Sequence, residues 1–300
     1  MNTSSPEPSP IKRRLVYYLA GFDTRSARFY HQLYKTEAAL QQVVNRCEYE
    51  VGEPVPDGPH CATWAVRARC GDSRVETRYS FLHWNDIVRA HWPASSARVA
   101  ARIPAFYWTY ARNGGVSKTW RLCRPFGWML ILPLLFALAS LLVAGLTALG
   151  AAALAMHWAP EGSLGTAFIW LAAGVAGAIV VQGALVATER SRVFWLMRAW
   201  TFMLHWGQNS DPLQSRWDEF AQKIESDLLA EPVDEVLIIG HSAGAMAAIA
   251  VAARWLALAR DGRLPSDKVK LVTIGNATPL LGVIPEAEWV RRHSAAVGAS

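Results

Sequence analysis

The sequence has few charged residues for its length. Asp, Glu, Lys and Arg make up 18% of the 300 residues, and hydrophobic residues make up 52%. Soluble proteins carry about 25% charged residues, so this deficit favours a membrane protein. The formal net charge is +6, but Lys and Arg form no long run and accompany no nucleic-acid-binding motif. We therefore expect no nucleic-acid partner.

Cysteine is also scarce. The four cysteines form no Cys-x-x-Cys pair, and no His/Cys cluster has metal-ligand spacing: Cys47, Cys61, Cys70 and Cys123. This pattern gives no recognisable zinc site and no thioredoxin-like motif. We expect free thiols in a reducing compartment, and no metal or organic cofactor is implied.

Charge is absent altogether from two long stretches. No Asp, Glu, Lys or Arg occurs from Pro125 to Pro160, or from Gly162 to Thr188. A hydrocarbon core ~30 Å thick takes ~20 helical residues to cross. We predict a transmembrane hairpin over residues 125–188, with spans at about 127–149 and 165–187. The alternative is a buried helical hairpin in a soluble protein.

The charges that flank the hairpin predict its orientation. Three basic residues precede the first span and three follow the second, whereas the connecting loop has none: Lys118, Arg121, Arg124, Arg190, Arg192 and Arg198. Positive residues remain on the cytoplasmic side. We expect an integral protein of a bacterial inner membrane, in contact with lipids, with both termini cytoplasmic. After the second span, Phe194 to Met203 is either an amphipathic helix on the headgroups or a packed helix.

A short motif dominates the carboxy-terminal part. Val236–Ile239 is an apolar run typical of a buried strand. It is followed by Gly-His-Ser-Ala-Gly at residues 240–244 and by an alanine-rich helical run to Ala253. A serine on such a strained strand-to-helix turn exposes its Oγ above the sheet edge. Small flanking residues are needed because the turn brings the strand and helix backbones together.

This motif resembles the nucleophile elbow of the α/β-hydrolase family, which includes serine esterases, lipases and thioesterases. The resemblance covers residues 15–45 and 212–282. It implies an α/β fold with a mostly parallel sheet flanked by helices, interrupted here by the hairpin. It also implies that Ser242 is the nucleophile and that the N–H groups of Ala243 and Phe22 hold the oxyanion. The alternatives are a glycine-rich turn of another α/β fold and, at Phe22, an ordinary β–α turn.

The remaining elements fit two halves of one domain, at residues 11–120 and 189–300. Strands are predicted at 15–19, 62–69, 75–82 and 270–274, with a turn at 70–73. Helices are predicted from about Asp23 to Val44, at 85–88 and at 212–228, whereas the Ser/Pro-rich residues 1–10 are predicted to be disordered. His83 and His91 are expected to be packing or surface residues.

The motif lacks an obvious base and acid. The family order is Ser, acid, His, and His293 is the only histidine after Ser242. It is a weak candidate base, because it lies in what we expect to be a frayed terminus of a chain that is short for the family. The carboxylates in between are Asp261, Asp267, Glu286 and Glu288. His241 is expected to be a turn residue.

These patterns favour a membrane-bound hydrolase of an ester or thioester. The membrane suggests a hydrophobic, lipid-like acyl substrate. The missing acid and base favour an alternative, a catalytically inactive hydrolase-fold protein that serves as a binding or assembly module. A transporter accessory has only the two spans in its favour. The sequence leaves the oligomeric state open.

Overall fold

The computed structural model describes residues 11–92, 96–190, 192–208, 211–259 and 266–299. The predicted disordered tail and the candidate carboxylate Asp261 lie outside these residues. The described part of the chain divides into two compact units. One comprises the residues up to His91 and from Trp206 onward, and the other comprises Trp92–His205.

The first unit begins with a strand, a helix and a group of strands. These elements are β1 (Arg13–Leu19), α1 (Ala27–Asn45), β2 (Glu48–Val51), β3 (Val55–Pro56), β4 (Cys61–Cys70), β5 (Ser73–Leu82) and α2 (Asn85–Ala90). The prediction of β1, α1, β4, β5 and the short helix α2 is confirmed. On α1, the predicted apolar stripe of Ala27, Tyr30 and Tyr34 packs against the sheet. The short edge strands β2 and β3 were not predicted from the sequence.

The second unit is helical. Its elements are α3 (Ser96–Arg112), α4 (Gly115–Leu122), α5 (Arg124–Met156), α6 (Ser163–Arg190) and α7 (Arg192–Gln208), whose residues from Trp206 onward belong to the first unit. By length and composition, α5 and the part of α6 up to Ala187 could each cross a membrane. Phe194 and Met197 of α7 are buried against Val99 and Ile103 of α3. Of the two alternatives for this segment, the structure therefore shows the packed helix.

The remaining elements complete the first unit. They are α8 (Asp211–Ala230), β6 (Glu235–His241), α9 (Ala243–Ala259), a 3-10 turn (Ser266–Lys268), β7 (Val269–Ile274), α10 (Thr278–Gly282) and α11 (Glu288–Gly298). The predicted order of strand, Ser242 turn and helix is confirmed. The expectation of a frayed terminus is wrong, because Trp289 and Val290 of α11 are buried.

One seven-stranded sheet forms the core of the first unit. The strand order is β2-β4-β5-β1-β6-β7, and β3 pairs with β4. The pairs β5–β1, β1–β6 and β6–β7 are parallel, and the pairs that involve β4 are antiparallel. The sheet is therefore mixed, and the prediction of a mostly parallel sheet is wrong. The cause is local, because the tight turn between Cys70 and Ser73 returns β5 alongside β4 as a hairpin.

Helices cover the two faces of this sheet. On one face, α1 packs over a cluster that contains Trp64 and Phe81. On the other face, the Tyr17 hydroxyl donates a 2.7 Å hydrogen bond to Asp227 of α8, and Gly240 lies against α9. The sheet thus places the carboxyl ends of β5, β1, β6 and β7 along one edge, where binding sites of α/β proteins are usually found.

A disulfide joins Cys47 to Cys70. The register pairs Glu48 of β2 with Arg69 of β4, so the cysteines that flank this pair lie opposite each other. This finding differs from the expectation of free thiols. Cys61 and Cys123 remain free.

Candidate active site

Ser242 lies in a strained backbone conformation at the carboxyl end of β6. Its φ angle is 57°, and Arg46 is the only other described non-glycine residue with positive φ. Its N–H donates a 2.8 Å hydrogen bond to the Ile274 carbonyl at the end of β7. A residue with a side chain adopts this left-handed conformation at a cost of ~1–3 kcal/mol. The turn therefore has the strained geometry of a nucleophile elbow.

The glycines on either side are required by space. A Cβ atom at Gly240 would lie 2.5 Å from the Cα of Ala245 and would also meet the Gly244 carbonyl. At Gly244, a Cβ would lie 2.8 Å from the Ala20 carbonyl carbon. Contacts this short do not occur in folded proteins. The sequence-based reason for small residues at 240 and 244, a close approach of backbones, is confirmed.

The loop after β1 lies directly against the turn. Leu19 pairs with Gly240 across the parallel β1–β6 ladder, so the next residues of both strands emerge side by side. A Cβ at Gly21 would lie 3.1 Å from the Cβ of Ser242 and 3.0 Å from the His241 carbonyl oxygen. The Trp84 indole N–H donates a 2.9 Å hydrogen bond to the Ala20 carbonyl and holds this loop.

The structure therefore brings the two predicted oxyanion donors to the same end of the sheet as Ser242. Phe22 follows Gly21 in the β1 loop and is buried. Ala243 is the first residue of α9, and N–H groups in the first turn of a helix have no intrahelical acceptor. The Ser242 side chain remains partly accessible. The residue that carries the hydroxyl, Ser242, thus lies next to the amino terminus of α9 and to the loop after β1.

His293 contacts a different part of α9. Its Nε2 lies 3.1 Å from Nη1 of Arg254, which also donates a hydrogen bond to the Ala250 carbonyl. Burial, and then the charge of Arg254, lower the pKa of His293 to about 4. Ala250 lies seven residues after Ala243, which corresponds to roughly 10 Å along a helix that rises 1.5 Å per residue. The structure therefore does not bring His293 within hydrogen-bonding distance of Ser242.

The described candidate carboxylates after Ser242 are solvent-exposed: Asp267, Glu286 and Glu288. The loop beside Ser242 instead carries Asp23, which accepts hydrogen bonds from the Arg25 backbone (3.0 Å) and the Tyr30 hydroxyl (2.7 Å). Burial raises the pKa of Asp23, but the hydrogen bonds from Arg25 and Tyr30 outweigh burial and lower it. The sequence predicted only that a helix begins at about Asp23 and runs to Val44. A prediction that β1 pairs in parallel with β6 would have placed Asp23 near Ser242.

Two other histidines of the first unit pack against aromatic rings. His83 packs against Phe81 and His91 against Trp206, with ring centres 5.1 and 4.7 Å apart, as predicted for packing residues. His241 is exposed in the turn itself.

A second polar cluster lies at the carboxyl end of β5. His60 Nδ1 contacts Glu219 of α8 at 2.8 Å, and Arg216 makes a two-pronged ion pair with Asp86. β1 separates β5 from the elbow strand, so this cluster lies ~10 Å or more from β6. We interpret it as a structural connection of α8 to the sheet edge rather than as part of the Ser242 site.

No group of three or more His, Cys, Asp or Glu side chains among the described residues could hold a metal ion. Comparisons of the chain with protein-family models, with curated proteins and with solved structures give no match.

Proposed function

We propose that this chain is a membrane-bound serine hydrolase of the α/β-hydrolase type that acts on an ester or thioester. The observation that carries the proposal is the Ser242 turn. It combines a positive φ at a serine, two glycines at which a Cβ would overlap backbone atoms, and a second loop in contact with the turn. A protein gains nothing structural from strain at a serine, since glycine would adopt this φ without cost.

The reaction follows from this geometry. The Ser242 Oγ attacks the acyl carbonyl carbon, and the carbonyl oxygen takes up the negative charge facing the N–H groups of Ala243 and Phe22. Collapse of this intermediate breaks the C–O or C–S bond, and the leaving group takes up, through water, the proton lost from the Ser242 hydroxyl and departs as an alcohol or thiol. Water then attacks the acyl-enzyme, which releases the carboxylic acid and restores the hydroxyl. No metal or organic cofactor enters this scheme.

Membrane attachment is supported by the exposure of the two long helices. Only 17% and 11% of the most apolar windows of α5 and α6 are buried, whereas a core helix of a soluble protein would be mostly buried. Leu142 and Leu149 are among the exposed side chains. With the basic flanks, these helices support a hairpin that keeps both termini and the Ser242 site in the cytoplasm. A hydrophobic acyl substrate fits this location.

The test is ester hydrolysis by the full-length chain in detergent. We expect turnover of medium-chain p-nitrophenyl esters or acyl thioesters, and a loss on the order of 10²-fold or more in Ser242→Ala. Ser226 of α8 is exposed and bonded only within its own helix, so Ser226→Ala is the matched control and should keep full activity. Equal rates for wild type and Ser242→Ala would contradict the proposal.

One observation favours a second candidate, a catalytically inactive module that binds or assembles other molecules. Among the described histidines, none is shown in contact with the Ser242 hydroxyl, and His293 is paired with Arg254. This candidate predicts a stable protein with no Ser242-dependent turnover of any acyl substrate, and unchanged folding in Ser242→Ala.

A further inference from the structure

The helical unit contains an apolar cavity of about 200 Å³. Four helices line it, with Phe136, Ala137 and Leu141 from α5, Ala184 from α6, and Phe194 and Met197 from α7 among the wall residues. Ala100 of α3 completes the wall. The cavity lies entirely within residues 92–205, so its shape depends on this unit alone.

The chemistry of the wall specifies a hydrocarbon occupant. The single hydroxyl in the wall belongs to Ser140 and donates a 2.7 Å hydrogen bond to the Phe136 carbonyl within the same helix. A polar ligand group would therefore lose its hydration without a new partner. An apolar cavity of ~150 Å³ stays dry and accepts a benzene-sized molecule, so the cavity in this unit is large enough for several methylene groups.

The cavity opens towards the outside of the helix pair. Leu141 and Val181, which lie in its wall, are 63% and 39% exposed. If α5 and α6 cross the bilayer as proposed above, this opening faces lipid tails rather than water. The wall residues of α6 lie within its last ten residues, so the cavity is near the end of the hairpin that carries the basic flanks.

A positive charge lies next to the cavity wall. The Arg198 guanidinium is 4.1 Å from the ring centre of Phe194 and 4.5 Å from that of Trp92. Stacking on two rings holds the charge at a fixed place. Anionic headgroups are attracted to basic residues at the cytoplasmic surface, so charge complementarity selects an anionic lipid.

We propose that this cavity binds one acyl chain of an anionic phospholipid, with the lipid phosphate facing Arg198. The inference rests on the membrane placement in the proposed function but not on the chemistry of Ser242. A bound lipid would fix the packing of α7 against the hairpin.

The experiment uses the full chain in phospholipid nanodiscs that contain phosphatidylglycerol with a photoreactive diazirine in one acyl chain. Trypsin cleavage after Arg192 and Arg198 yields a six-residue peptide with two wall residues, Phe194 and Met197. We expect cross-links at these residues, and at least a fivefold loss in Ala137→Phe, which fills the cavity. Ala139 is exposed on the same helix, so Ala139→Phe is the matched control and should label like wild type.

A second variant tests the charge. Unlabelled phosphatidylglycerol should compete with the probe better than phosphatidylcholine does, and Arg198→Gln should remove this difference. Equal labelling of Phe194 and Met197 in wild type and Ala137→Phe, or equal competition by both lipids in wild type, would overturn the lipid site.

Alkaline extraction separates the two proposals. A chain that resists extraction but shows no cavity-dependent labelling contradicts only the lipid site. A chain that carbonate releases from membranes contradicts the transmembrane hairpin and the lipid site together.

Discussion

Ser242 has a strained backbone conformation that its neighbours maintain. Its positive φ costs ~1–3 kcal/mol, and the surrounding backbone holds it by hydrogen bonds. Ser242 donates to Ile274, and its carbonyl accepts from the N–H groups of Ala245 (3.1 Å) and Ala277 (3.4 Å). The sequence predicted this turn because Gly240 and Gly244 have the spacing that is needed where a strand backbone and a helix backbone approach closely. It could not predict a base, since that depends on residues distant in the chain.

We expect Gly240→Ala to destabilise the first unit by more than about 3 kcal/mol, because the new methyl group would overlap backbone atoms of α9. Gly282→Ala is the control. A Cβ at Gly282 meets no atom within 4 Å, and alanine is the better helix former. Thermal unfolding followed by circular dichroism should show a lower transition temperature for Gly240→Ala only. Equal transition temperatures would show that the turn can open to admit a side chain.

His293 provides a pH test. Its folded pKa, about 4, lies below the ~6.5 of an unfolded histidine. The unfolded chain therefore binds the proton more readily, and the stability that His293 contributes is complete above pH 6.5 and lost as the pH falls towards 4. Between these values, the transition temperature of wild type should fall more steeply than that of His293→Gln. Parallel curves would contradict the buried neutral imidazole.

At the scale of elements, periodicity predicted α1, α8, α9 and most strands, but not α3 or α4. The apolar runs of β1 and β6 and the stripe of α1 were sufficient, because burial determines those patterns, whereas β7 was predicted although most of its side chains are exposed. The turn at 70–73, which makes β4 and β5 antiparallel, was predicted, but the family resemblance led us to expect a mostly parallel sheet. Helix α11 was missed because its burial against α9 depends on Trp289 and Val290, whose partners lie far away in the sequence.

The disulfide tests which compartment holds the first unit. Cytosolic thiols are kept reduced, so the cytoplasmic placement predicts that Cys47 and Cys70 are thiols in cells and that the bond closes after purification in air. Maleimide mass-tagging of denatured cell extracts should then count four reactive cysteines. Cys61 and Cys123, which form no disulfide, are the internal control. A count of two in cells would place the domain on the oxidising side.

At the scale of the whole molecule, the absence of charge predicted two long apolar helices correctly, because twenty apolar residues in succession have few structural alternatives. The chain departs from and returns to the first unit at His91 and Trp206. The sequence predicted these limits at residues 120 and 189, because only the two uncharged stretches and their connection were assigned to the hairpin. Helix α3 and most of α7 are buried against each other and belong to the same compact unit as the hairpin.

The basic flanks predict the topology. A phosphatase reporter that is active only in the periplasm should be silent when fused after Ser300 and active when inserted at Trp158, in the turn between α5 and α6. Replacing Lys118, Arg121 and Arg124 with glutamine should weaken this preference. Activity of the fusion after Ser300 would reverse the assigned orientation.

Reaction of Ser242 with a fluorophosphonate tests the central claim most directly. Trypsin releases this serine in one peptide, residues 224–254, together with Ser226, and fragment spectra distinguish the two positions. We expect a phosphonyl adduct on Ser242 in the native protein, its absence after denaturation before labelling, and its absence in Ser242→Ala. A native, folded protein without an adduct on Ser242, or labelling that persists in Ser242→Ala, would contradict the assignment of Ser242 as the nucleophile.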